Sequence, residues 1–214
     1  MVDLRTANSA ASTRLSRHIN RKPASNIYHA VRLAEAIGTP LTHLFTVNFS
    51  KTNCLANFTS AAWQRLLARH FTPWIRRPPK EVTVTASEPA YVWVLENSGD
   101  LGLHWLVHVP HQRLADLETK LPGWLSTVGA TPIEPAAIDV RTATSPRGAA
   151  YYLLKGTNPV YAAGLGVQPI PQGEVVGKRS GFSRSLGPSR KLALRAAGQY
   201  SRRRYVSWSA APGH

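Results

Sequence analysis

The sequence predicts an α+β fold, an antiparallel sheet covered by helices, and three observations predict it. Helical and strand-like patterns succeed one another in the order helix, strand, helix, hairpin, helix, strand, helix. The middle pair of strands is a hairpin, with Asn97 to Asp100 at its turn. An apolar fraction of 43% with six tryptophans supplies enough core for one domain of ordinary size plus tails.

The first predicted helix begins at Asn26, a suitable N-cap, because Ile27, Ala30, Val31, Ala34 and Ile37 recur at helical spacing; Gly38 and Pro40 stop it. From His43 to Phe49 the pattern alternates, Phe45, Val47 and Phe49 against Thr46 and Asn48, which predicts a half-buried strand with a polar second face. A second helix opens at Thr59 or Ser60, places Trp63, Leu66, Leu67, His70 and Phe71 on one stripe, and ends by Pro73. Arg76, Arg77 and Lys80 among prolines form a basic loop, followed by a short strand over Glu81 to Thr85. Tyr91 to Glu96 and Leu103 to Val109 are the hairpin strands. Leu114, Leu117 and Leu121 mark a third helix that Pro122 and Gly123 stop. Ala137 to Arg141 suggests a strand, and Ser145 with Pro146 opens a last helix through Lys155, closed by Gly156.

Charge narrows the partners. Lys and Arg number 26 against 11 Asp and Glu, a formal net charge of +15. Such a surplus draws a chain to polyanions, since each neutralised phosphate releases a condensed counterion. Nucleic acid is the expected partner. A single cysteine, Cys54, excludes an internal disulfide framework and any multi-cysteine zinc site. No apolar run approaches the ~20 residues of a membrane span. Met1 to Pro23 carries Arg5, Arg14, Arg17, Arg21 and Lys22 without an apolar stretch, unlike a secretory signal, so a cytoplasmic protein is expected.

Three segments carry candidate chemistry. Phe45 to Phe49 is a strand with polar side chains on one face, Gly102 to Pro110 is a strand bearing His104 and His108, and Tyr152 and Lys155 lie three apart on a short helix, hence on one side of it. This order resembles the rolling-circle replication initiators of the HUH endonuclease superfamily, in their bacterial, plasmid-type branch. Trp93 to Asn97, His104 to Pro110, Tyr152 to Gly156 and Gln172 to Arg179 carry the resemblance, which spans roughly residues 40 to 190.

The resemblance implies a ferredoxin/RRM-like HUH endonuclease core. It implies a protein that binds single-stranded or origin DNA, works beside replication proteins and nicks one strand. Tyr152 would be the nucleophile, forming a covalent phosphotyrosine and freeing a 3′-hydroxyl. Lys155, one helical turn away, would assist the phenol or hold a phosphate oxygen. A divalent cation would polarise the scissile phosphate.

The sequence departs from the family at the metal. Gly102 stands where the first histidine of the His-hydrophobic-His strand is expected, leaving His104 alone. Residues 102 and 104 share a strand face, whereas His108 lies four residues along, about 13 Å away. With a five-residue hairpin connection Glu96 would sit opposite residue 102 on the face of His104. His104, Glu96 and waters would then make a weak site suited to Mg²⁺ or Mn²⁺.

The expected organisation is a basic flexible arm over 1–25, a catalytic domain over 26–168 and a basic nucleic-acid-binding segment over 169–214. That last segment holds Lys178, Arg179, Arg184, Arg190, Lys191, Arg202, Arg203 and Arg204, interleaved with Phe182, Tyr200, Tyr205 and Trp208, a mix suited to phosphate contact and base stacking. Two other readings stay open: a degenerate relic that binds DNA without cutting it, and an RNA-binding protein.

Overall fold

A computed structural model describes residues 14–77 and 86–201. Strands β1 (Leu15–Ser16), β2 (His43–Asn48), β3 (Tyr91–Asn97), β4 (Leu101–Val107), β5 (Ile138–Thr142), β6 (Val175–Val176) and β7 (Ser180–Phe182) form two sheets. β1 pairs with β6, and the other five make an antiparallel sheet in the order β5-β2-β4-β3-β7. Helices α1 (Arg21–Ala36), α2 (Ala56–Leu66), α3 (Thr72–Arg76), α4 (Leu114–Thr127), α5 (Pro146–Leu153), α6 (Pro159–Ala162) and α7 (Pro188–Ala196) flank the larger sheet. The protein is thus α+β, with the expected hairpin at its centre.

Strand parity divides the apolar residues into two cores. One face of the sheet presents Phe45, Val47, Trp93, Leu95, Leu103, Trp105 and Val107 to α2, α3 and α4. Trp105 anchors this side, with the rings of Trp63 and Phe71 edge-on to it at 5.1 and 4.7 Å. Such geometry adds about 0.5–1.5 kcal/mol per pair beyond burial. The opposite face presents Val92, Val94 and Leu106 to α1, α5 and α7, among Ala30, Val31, Ala34, Leu153 and Leu194. β3 and β4 are therefore covered on both sides, whereas β2 keeps the half-buried alternation that its sequence predicts.

Several boundaries differ from the sequence expectation. α1 begins at Arg21, not Asn26: Asn20 is its N-cap, and Ala24 is buried in its first turn. Gly38, at φ +74°, follows the helix end in the left-handed region open to glycine. α2 begins at Ala56. Thr59 and Ser60 are buried within it, where the Thr59 hydroxyl donates to the Leu55 carbonyl and the Ser60 hydroxyl to the Lys178 carbonyl. Pro73 does not end the helical run, because a π turn over Leu67–Phe71 intervenes and Pro73 falls in the first turn of α3. Proline is tolerated in the first turn of a helix, where this ring falls. Pro122 lies inside α4, which continues to Thr127 because Leu121 and Leu125 are both fully buried. Arg113 closes α3 by donating to the Ile75 and Trp74 carbonyls, with its guanidinium 3.8 Å over the Trp74 ring.

The termini are built into the fold as far as they are described. β1 and the Ile19–Thr157 bridge tie residues 15–19 to the rest, and β7 forms one edge of the sheet. Lys80 and the strand expected over Glu81 to Thr85 lie outside the described residues, as do 1–13 of the expected arm. Among the described residues no helix is long and apolar enough to cross a membrane.

β7 joins the sheet through a close approach. Gly181 pairs with Trp93, and a β-carbon added at Gly181 would stand 2.6 Å from the Trp93 Nε1. Gly181→Ala is expected to destabilise the protein by about 1–3 kcal/mol through overpacking against a fixed ring. Urea denaturation measures this, and an unchanged midpoint would remove Trp93 from its place over the edge strand.

Candidate active site

The site grows from strand register. Glu96 pairs with Gly102 and Val94 with His104 across the hairpin, while β2 sets Asn48 opposite Gly102 and Thr46 opposite His104. Glu96, Gly102, His104 and Thr46 consequently share the sheet face covered by α1 and α5. α5 is launched by Ser145, whose hydroxyl oxygen accepts from the Gly148 N–H, and by Pro146 in its first turn. The helix brings Tyr152 over the sheet, and the 3₁₀ turn Leu154–Gly156 that ends it brings Lys155 beside it.

A continuous chain of polar contacts results. The Thr46 hydroxyl is 3.2 Å from His104 Nδ1, and His104 Nε2 is 2.7 Å from Glu96 Oε1. The other carboxylate oxygen, Oε2, lies 3.0 Å from Lys155 Nζ, which donates to the Tyr152 hydroxyl at 2.8 Å. The Tyr152 ring stands edge-on to the His104 ring at 5.5 Å, and Lys155 Nζ is 3.9 Å from the Tyr152 ring centre. The interior of the chain is shielded, with side-chain exposures of 14% for Glu96, 10% for His104 and 17% for Lys155. Its end is open, since Tyr152 is 47% exposed. A phenol is thus fixed by an ammonium at the surface while the groups behind it are enclosed.

The charges agree with this geometry. Burial pushes the Glu96 carboxyl up, but hydrogen bonds and charge from His104 and Lys155 outweigh it and hold the group below the ordinary carboxylate range. Burial pulls Lys155 down, yet its bonds to Tyr152 and Glu96 prevail and raise it. At neutral pH the site therefore holds a carboxylate and an ammonium. A carboxylate at Nε2 requires that nitrogen to carry the hydrogen, and the Thr46 hydroxyl occupies Nδ1.

These donors do not fit a divalent metal as arranged. A ligating imidazole needs a free lone pair, and both nitrogens of His104 are engaged. The Glu96 oxygens are divided between an N–H and an ammonium. Among the described residues no group of three or more His, Cys, Asp or Glu stands close enough to hold an ion. His104 and Glu96, the residues expected to hold Mg²⁺ or Mn²⁺, are hydrogen-bonded to each other at 2.7 Å. Gly102 contributes only space: a β-carbon there would meet Glu96 Cγ at an ordinary 3.6 Å.

The other candidates fall in different places. Tyr151, adjacent to the candidate nucleophile, donates its hydroxyl to the Gly166 carbonyl and has no part in the chain of contacts. His108 is engaged elsewhere, just past the end of β4, with Nδ1 at 2.9 Å from the Pro40 carbonyl oxygen. Lys178 is exposed, and Arg184 and Arg190 are exposed beside and on α7, with Lys191 half-buried. Arg179 differs from the expected surface contact: it is buried, and its guanidinium donates to the carbonyls of Ser16, Gln172 and Gly173. Arg179 is therefore a structural cation that binds the N-terminal strand to the 172–179 loop. Tyr200 is likewise buried, with its hydroxyl 3.0 Å from His29 Nδ1, and is unavailable for base stacking. Phe182 is half-buried against the second core. Arg202, Arg203, Arg204, Tyr205 and Trp208 lie outside the described residues. Thr46, noticed in the sequence only as a polar strand residue, proves to be the partner of His104.

No protein-family model and no curated protein matches the sequence. Among solved structures, the catalytic domain of the adeno-associated virus type 5 Rep protein is similar over 64% of this chain and 86% of that one, at 12% identity and a TM-score of 0.33.

Glu96→Gln tests the central bridge. It should lower stability at pH 7 by about 1–3 kcal/mol, because the half-buried ammonium loses its counter-charge and one amide oxygen replaces two acceptors. The folded carboxyl titrates below its unfolded value of about 4.3, so its contribution is complete above that pH and is lost as pH falls toward the folded value. Thermal melts of wild type and variant should converge between pH 7 and acid pH. Curves that stay parallel would remove Glu96 from the bridge.

Proposed function

We propose that the chain is a rolling-circle initiator-like protein that binds single-stranded or origin DNA and cuts one strand with Tyr152. The observation that carries this reading is the Tyr152 phenol, exposed at the surface yet fixed by the Lys155 ammonium at 2.8 Å, with His104 behind it. An ordinary core tyrosine would turn its ring inward. The motif order of the sequence supports the same reading, as does a net charge of +15.

In the proposed reaction Tyr152 Oη bonds to phosphorus as the bond to the 3′ oxygen breaks. The phenolic proton leaves to solvent and the departing oxygen takes one up, so the DNA keeps a 3′-hydroxyl and the protein carries a 5′-phosphotyrosine. Exchange of one phosphate ester for another conserves the bond energy for religation. Lys155 stabilises negative charge on the phenol oxygen and the phosphate, while Glu96 holds Lys155 charged and in place. His104 orients Glu96. The cation beside the phenol is an ammonium, and Mg²⁺ or Mn²⁺ would enter only after the His104–Glu96 bond had opened.

A second reading is favoured by a specific feature. With Gly102 in place of a ligand and His104 closed on Glu96, the domain would bind DNA without cutting it. On either reading the exposed Arg184 and Arg190 would hold phosphates along the strand.

Incubation with a 3′-labelled pool of random single-stranded oligonucleotides separates the readings. The expected result is a labelled adduct that survives denaturation, is absent with Tyr152→Phe, persists with Tyr151→Phe and falls about 100-fold with Lys155→Ala. Chelation of divalent ions should leave the yield within about twofold, because the site supplies its own cation. An adduct that persists in Tyr152→Phe overturns the nucleophile. Tight binding with no adduct selects the binding-only reading, and preference for RNA over DNA selects an RNA-binding protein.

A further inference from the structure

A second basic feature lies beside the tyrosine site. A cleft of about 460 Å³ opens between residues 14–20 and the 177–180 segment, lined in part by Arg14, Ser16, His18, Asn20, Lys178 and Arg179. Among the described residues, none of those that line it is a carboxylate. Its walls are tied together: Leu15 and Ser16 pair with Val176 and Val175, the Gly177 N–H donates to the Arg14 carbonyl at 2.7 Å, and Arg179 Nη2 donates to the Ser16 carbonyl at 2.6 Å. The cleft is thus preformed.

The electrostatics of this wall are unbalanced. Burial lowers Lys178, whose ammonium lies 5.7 Å from the Trp93 ring centre, and drives Arg179 down to about 10 despite the opposing pull of Glu96. Arg179 is 4% exposed and its Nε has no hydrogen-bond partner. A buried guanidinium next in sequence to an exposed ammonium, with no acid among the described lining residues, favours an anion. The nearest carboxylate along the chain, Glu174, is already engaged by Arg17 at 2.6 Å. The start of α1 adds to the effect, since Asn20 makes no side-chain cap and the first turn has no acidic residue.

Position decides the class of anion. Ile19, part of the cleft wall, donates its N–H to the Gly156 carbonyl at 2.8 Å and accepts from the Asn158 N–H at 3.0 Å. Gly156 directly follows Lys155, so the cleft floor is bonded to the end of the helical segment that carries Tyr152 and Lys155. A polynucleotide crossing the tyrosine would have its neighbouring backbone at this cleft. Its size, within the ~300–1,000 Å³ of small-molecule sites, suits a phosphate with its sugar.

We propose that this cleft is a phosphate subsite that holds a backbone phosphodiester of single-stranded DNA beside the one facing Tyr152, with Arg14 and Lys178 as its contacting cations. Arg179 acts through its charge, its outer nitrogens being bonded to the fold. The proposal rests on the reading of Tyr152 as facing DNA.

The test uses the full chain carrying Tyr152→Phe, so binding is read independently of cleavage. Fluorescence anisotropy with a labelled single-stranded oligonucleotide is followed from low to high salt. Adding Arg14→Gln and Lys178→Gln should weaken binding at least tenfold and reduce the slope of log K against log salt by about 1.4, at ~0.7 per lost phosphate contact. Lys120→Gln with Arg76→Gln removes the same charge from α4 and α3, outside the residues that line the cleft, and should do neither. Lys178 should also be protected from amine acylation by the oligonucleotide, as read by mass spectrometry. An unchanged slope and unprotected Lys178 overturn the subsite. Saturable binding of inorganic phosphate that leaves the oligonucleotide slope unaffected by the substitutions makes the cleft a free-anion site and also overturns it. A changed slope in a protein that forms no adduct keeps the subsite and sinks only the cleavage reading.

Discussion

One carboxylate joins the sheet to the helix that carries Tyr152. Glu96 gives one oxygen to His104 on the neighbouring strand and the other to Lys155 at the end of the α5 segment, and Lys155 in turn holds the phenol. Because the group is largely enclosed, its ion pair is only weakly screened by solvent, and loss of either partner would strand a charge. The position of Tyr152 relative to the sheet is thereby fixed by electrostatics as well as by the packing of Leu153 and Ala150 into the core beneath. Rigidity at this point is what a nucleophile aimed at a passing backbone would require.

That bridge depends on register. A one-residue slip of β4 against β3 would send His104 to the tryptophan side of the sheet and bring Trp105 to the helix α1 side. The cost of such a slip is set by Trp93, Trp105 and Phe45, which stack across three strands on a single face and pack against Trp63 and Phe71. The aromatic core thus holds polar groups in place on the opposite side of the sheet, without touching any of them. The same logic places the cleft, where β1, paired with β6, lies against a loop that Arg179 binds from within.

Much of this was legible in the sequence because it is local. The alternation of Thr46 and Asn48 with Phe45 and Val47, the short connection between Glu96 and Gly102, and the Ser145–Pro146 helix start each carry their own geometry, and they sufficed to put Glu96, His104, Tyr152 and Lys155 together. What the sequence obscured was tertiary. Pro122 and Pro73 look like helix ends, yet buried leucines carry α4 through the first and a π turn absorbs the second. Arg179 and Tyr200 look like surface contacts in a basic segment, and both are drawn inside by carbonyls and a histidine distant in the chain. The strand position of His104 gives its face of the sheet, but spacing cannot reveal that Thr46 and Glu96 lie against its two ring nitrogens.

Gly102 gives the architecture an unfilled socket. Directly across from Glu96, its missing side chain leaves room that a β-carbon would enter at an ordinary contact distance. Whatever occupied that socket would approach the same carboxylate that now serves an ammonium. An imidazole grafted there would stand beside that acid and set a mineral ion and an organic one in competition for it.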